Sequence, residues 1–169
     1  MPRSLLGDAF AHHVWATGRL IESCQRLDPD QLGAAVPGTY GSVLETMRHL
    51  VGADAAYLYA MTSGRTSYVD TSRMSLTELS EAMAKDGAAW KDLLVEGPDP
   101  DAVVVRRRED GSETHAPVGI RLAQVLQHGT DHRSQICTVL TVLGLEPPDI
   151  DVWSFADQAG QLVEVPPTS

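Results

Sequence analysis

His128 and His132, in the run Gln127-His128-Gly129-Thr130-Asp131-His132-Arg133, are the side chains of this sequence best placed to do chemistry. Four residues apart on a helix, they share one face, and both imidazoles can turn toward one point. Two rings meeting in an apolar seam would repel if both were protonated, and each must find partners for both nitrogens. A divalent cation resolves this by taking one nitrogen from each neutral ring. Structural and surface histidine pairs use the same spacing, so spacing by itself leaves the metal and the structural readings both open.

The element that must carry the pair is a long helix. Val118, Leu122, Val125, Leu126, Ile136, Val139, Leu140 and Leu143 recur at spacings of three and four. His128 follows Val125 by three and His132 precedes Ile136 by four, which puts both on or beside the apolar stripe. Two imidazoles rarely complete a site, and a third ligand has to come from another helix. His49, between Met47-Arg48 and Leu50, is the best candidate, although it sits at the edge of its stripe. His13 lies on the apolar face of the first helix, as a fourth ligand, a supporting group, a proton donor or simply a core histidine. His12 is turned by about 100° and is expected to be more exposed. His115 has no partner at a useful spacing. Asp131 can hydrogen-bond a ligand or act as a base, or face solvent.

Further elements follow from periodicity and caps. Helical spacing runs from Ser4 to Leu27 and ends at Asp28-Pro29. Ser42-Val43-Leu44-Glu45 is a capping box opening a helix from about Val43 to Met61, and Ser75-Leu76-Thr77-Glu78 opens a third that stops at Gly97-Pro98. Thr62 to Met74 is long for a link between neighbouring helices, and suits a segment that crosses the bundle end or forms a lid. Ala102 to Arg107 and Ser112 to Ala116 flank an Asp-Gly turn and read as a small hairpin. Asp151 to Gln158 adds a short helix expected to pack Trp153 and Phe155. Four long amphipathic helices imply an all-α four-helix bundle with a small β-hairpin between helices 3 and 4, one domain over 1–169.

Composition narrows the function. The 169 residues are 43% hydrophobic, as in a soluble globular protein. A formal net charge of -10 opposes nucleic-acid binding. Arg106-Arg107-Arg108 is a local exception, flanked by Glu109, Asp110 and Glu113; it reads as a solvated strand edge or as a grip on an anionic substrate tail. Cys24 and Cys137 read as small buried side chains. No span is long and apolar enough for a membrane helix or export signal, so the cytoplasm is the expected location and no membrane partner is expected.

The mid-helix His49 followed by Leu50 and Tyr57, the run His128-x-x-x-His132-Arg133-x-Gln135-Ile136, and the downstream Leu143-Gly144-Leu145, Pro147 and Asp151 together resemble the DinB-like (DinB/YfiT) metalloprotein superfamily. The resemblance covers nearly the whole chain. It implies an up-down-down-up bundle, a divalent metal, most often nickel or zinc, held by His49, His128 and His132 in an open cavity, and a homodimer.

Three protein ligands leave room for water or substrate, the arrangement of a catalytic site. A zincin-type peptidase places glutamate directly after the first histidine, where this chain has Gly129. Members of the resembled family transfer bacillithiol or mycothiol to electrophiles, which makes a metal-dependent thiol S-transferase, with a small-molecule thiol and electrophile as partners, the leading expectation. A metal-dependent hydrolase of a small ester or amide, or a non-catalytic metal- or ligand-binding stress protein, are the alternatives.

Overall fold

A computed structural model describes residues 4–108 and 110–165. Four long helices are α1 (Leu5–Cys24), α3 (Val43–Met61), α4 (Leu76–Glu96) and α5 (Val118–Val142), with the short α2 (Pro29–Leu32) and α6 (Val152–Gln158). Between α4 and α5 stands the antiparallel hairpin β1 (Val103–Arg107) and β2 (Glu113–Pro117). The fold is therefore mostly helical with a small two-stranded sheet, as the periodicities require. No helix of the described residues is long and apolar enough to cross a membrane.

Both capping boxes form. Ser42 and Glu45 exchange side-chain to backbone hydrogen bonds at the start of α3, and Ser75 and Glu78 do so at α4, which fixes where each helix begins. The first helix is shorter than the periodicity suggests. Ser4 caps it, it ends at Cys24, and Asp28 caps the additional turn α2 in a box with Gln31. In the hairpin, Val103 pairs with Pro117 and Arg107 with Glu113, one residue later than expected at the start of β1 and in both limits of β2. Gly111 turns the chain at φ 81°, a conformation open to glycine. Glu109 lies outside the described residues.

α1 packs against α4 and α5, and α3 packs against the same two helices. Two apolar clusters fill the interior. One joins Leu20 and Ile21 of α1, Met47 and Leu50 of α3, Leu79 and Met83 of α4, and Ile136 and Leu140 of α5. The other joins Phe10, Leu58, Trp90, and Leu122 and Val125, at the opposite ends of the same helices. Between them lies a layer of buried polar side chains, His13, Thr17, Asp54, Asp86 and Arg133.

Two packing expectations change. Phe155 of α6 does pack, against His12 and Trp15, but Trp153 is 70% exposed because α6 turns that ring outward. The docking is completed by Trp15 Nε1–H donating to Gln158 Oε1 and His12 Nε2–H donating to Ile150 O at 2.8 Å. Cys24 is buried as expected, whereas Cys137 is only half-buried. The segment from Thr62 to Met74 runs back over α3, where the Thr71 hydroxyl donates to Arg48 O at 2.7 Å and Arg48 Nε–H donates to Met74 O at 2.9 Å.

Candidate metal centre

His49 is carried by α3 between the fully buried Met47 and Leu50, so the register set at Ser42 also sets the ring's direction. His128 and His132 project from α5. The three histidines meet: their ring centroids lie 5.0, 4.8 and 4.4 Å apart, and one nitrogen from each falls within 4.8 Å of the others. His49 Nε2 and His128 Nε2 are 3.0 Å apart. Among the described residues this is the group of histidine, cysteine or acidic side chains arranged to hold an ion.

Two neighbours orient the rings. Gln135, one turn beyond His132, places Oε1 3.1 Å from His132 Nδ1 and accepts the Tyr40 backbone N–H at 2.9 Å. An acceptor at Nδ1 puts the proton there and leaves Nε2 as the lone-pair nitrogen. Tyr40 in turn stacks on His49, with centroids 4.1 Å apart and planes inclined by 15°, and meets His132 edge-on.

Electrostatics favour neutral rings. Burial first, and then His132 and His49, push His128 down to about 4; burial and then His132 lower His49. Near neutral pH both rings therefore offer lone pairs without first losing a proton. His128 Nδ1 is buried with no hydrogen-bond partner among the described residues, which leave the cluster unsatisfied. Three imidazoles with no carboxylate suit zinc, nickel or copper, and do not suit magnesium or calcium, which prefer oxygen. The residues fit a bound transition metal. His49 and His128 also line a cavity of about 560 Å³, walled by Tyr57, Tyr68 and several polar side chains, which gives the cluster one open side.

His13 is not in the cluster. Its Nε2–H donates to Asp54 Oδ2 at 2.7 Å, and its Nδ1 receives Arg133 Nη1–H at 2.9 Å. A guanidinium has no acceptor, which assigns the proton to Nε2. Both ring nitrogens are thus occupied in a fully buried side chain, and of the readings open to His13 the structure matches the core histidine, here the centre of a brace linking α1, α3 and α5. Arg133 extends the brace to Thr17 and Thr130. The same brace explains Gly129. A Cβ at that position would lie 2.3 Å from His13 Cε1 and 2.5 Å from Nδ1, so the helix needs a residue without a side chain where a peptidase would carry its glutamate.

Asp131 is exposed and outside the cluster. As expected, His12 is less buried than His13. His115, for which the sequence offers no partner at a useful spacing, lies outside the cluster and faces Glu113 Oε2 at 2.7 Å on the exposed hairpin. Arg106, Arg107 and Arg108 are all exposed, as a solvated strand edge should be; Arg107 pairs with Glu113 and Arg106 lines the cavity. Sequence reasoning assigned no role to Tyr40, Asp54, Arg121 or Gln135. Only Gln135 carried a signal, its i+3 spacing from His132.

No curated protein matches the sequence. The family model of the DinB family matches residues 1–165, so this chain, with its three-histidine cluster open to a cavity, belongs to the DinB family.

Proposed function

We propose that the protein is a metal-dependent thiol S-transferase that joins a low-molecular-weight thiol of the mycothiol or bacillithiol type to a small electrophile. The observation that carries the reading is the cluster of His49, His128 and His132, with nitrogens within 4.8 Å of one another and one side facing a cavity. These three are the ligands we assign, with nickel or zinc as the ion.

A bound divalent ion supplies a Lewis acid that holds a thiol as its thiolate near neutral pH. The chain's own part is positional. Gln135 fixes the His132 ring, Tyr40 covers one face of His49, and the His13 brace holds α3 and α5 at the spacing the cluster needs. The cavity provides the second reactant with a place beside the cluster, where orientation lowers the barrier.

The same reading includes an up-down-down-up four-helix bundle in one domain over 1–169, for which the two apolar clusters at opposite helix ends speak. It also includes a homodimer acting in the cytoplasm.

The test is metal analysis of protein purified without a histidine tag, followed by reaction of the reconstituted protein with bacterial thiols and a panel of electrophiles. Conjugate that requires both metal and thiol supports the proposal. Turnover of an ester or amide without thiol would instead select a hydrolase, and tight metal binding with no turnover a binding protein. His132→Ala leaves two imidazoles and should abolish metal retention, while far-UV circular dichroism stays unchanged because the apolar clusters form without the ion.

A further inference from the structure

Arg48, Arg106 and Arg121 line the cavity onto which His49 and His128 open. In a chain with 13 Lys and Arg against 23 Asp and Glu, cations have carboxylates in excess. Arg19, Arg65 and Arg107 pair with Glu22, Glu96 and Glu113. None of the three cavity arginines has such a pair among the described residues.

Arg121 is the most telling. It is 6% exposed, its Nη2 donates to Val104 O at 2.9 Å and Thr114 O at 3.2 Å, and its Nε is buried with no partner among the described residues. Those two carbonyls belong to the hairpin, which carries Arg106 opposite Thr114. A guanidinium buried without a counter-charge is costly, and an anion in the cavity would offset that cost. Two carboxylates also line the cavity. Glu45 is committed to the Ser42 N–H and hydroxyl, and Asp70 accepts from the Ser72 N–H. Glu45 stands three turns before Tyr57 on α3, about 18 Å along the axis, so its field falls mainly on the far end of the cavity.

We propose that Arg121 and Arg106 form a subsite for an anionic group of the substrate, a carboxylate or a phosphate. Arg121 precedes His128 by two helical turns on the same face of α5, a rise of about 10 Å. The substrate class is then a small molecule whose anionic group and reacting atom are separated by roughly that span. Only the placement of the reacting atom rests on the metal-centre reading; the anion subsite stands on the arginines.

The test uses metal-free protein, so that an ion cannot bind the anion itself. Calorimetric titration with succinate, inorganic phosphate and the uncharged succinamide should show binding of at least one anion and none of succinamide, weakening as salt is raised. Succinate or phosphate binding alone tells which anion the subsite prefers. Arg106→Gln, at an exposed position whose side chain has no partner among the described residues, should weaken the preferred anion roughly tenfold. Arg19→Gln, outside the cavity, should leave it unchanged. No binding by either anion, equal binding by succinamide, or wild-type affinity in Arg106→Gln overturns the subsite. Metal content is measured separately on the wild type and on Arg106→Gln. Lack of metal in the wild type would overturn the metal reading and leave the anion result standing.

Discussion

Gln135 offers a quantitative test of how the cluster is held. Its Oε1 is the acceptor for both His132 Nδ1 and the Tyr40 N–H, at 3.1 and 2.9 Å, and Tyr40 is the residue stacked on His49. Replacing it with leucine keeps the side-chain size, removes both bonds, and frees the His132 ring to rotate and to carry its proton on either nitrogen. Loss of an oriented hydrogen bond to a metal-binding histidine costs about 10- to 100-fold in affinity, or roughly 1.4–2.7 kcal/mol. Gln135→Leu should therefore bind zinc or nickel that much more weakly in competition with a chelator of known affinity, with an unchanged helical spectrum. Gln135→Glu restores an acceptor to both donors and should bind at least as tightly as the wild type. Equal affinity in the leucine variant would refute the claim that Gln135 orients the ring; weak binding in both variants would show that the amide acts through something other than its oxygen.

Two predictions concern the polar layer beneath the cluster. Asp86 is 7% exposed and its carboxyl is pushed up to about 7, by burial first and then by Asp54, against a smaller opposing effect of Lys85. With the folded value above the unfolded one, its protonated form is fully compatible with folding below about pH 4, and stability falls as pH rises from there toward 7. Asp86→Asn should remove this dependence: in chelator-treated protein, its advantage over the wild type in urea unfolding should grow between pH 5 and pH 8 to on the order of 2–4 kcal/mol, and a constant difference would contradict the assignment. Gly129→Ala gains about 1 kcal/mol of helix propensity but forces a methyl group into His13, which Asp54 and Arg133 hold in place. Overpacking costs about 1–3 kcal/mol, so a lower denaturation midpoint is expected, and a higher one would mean that the imidazole is free to move.

The helices were readable because each is declared locally. Capping boxes mark the starts of α3 and α4, and spacings of three and four mark the apolar faces. The histidine pair was readable for the same reason, since a separation of four is a property of one helix. His49 needed the packing of a second helix, yet its mid-helix position between Met47 and Leu50 was enough to nominate it. What could not be read were partnerships across the fold. His13 looks like any histidine on an apolar stripe, because Asp54 and Arg133 lie 41 and 120 residues away in sequence. Arg121 gave no sign of burial, since what covers it is a hairpin whose docking no local pattern announces. Trp153 failed for the opposite reason: a large aromatic suggests packing, but a seven-residue helix has only one side to bury, and Phe155 takes it.

The hydrogen-bonded column through Asp54, His13 and Arg133 spans three helices without using any atom of the proposed ligand set. The rigidity of the scaffold therefore does not depend on an ion at the three rings. An ion held by the three histidines, if replaced by another, would leave this column and the helices it joins in place.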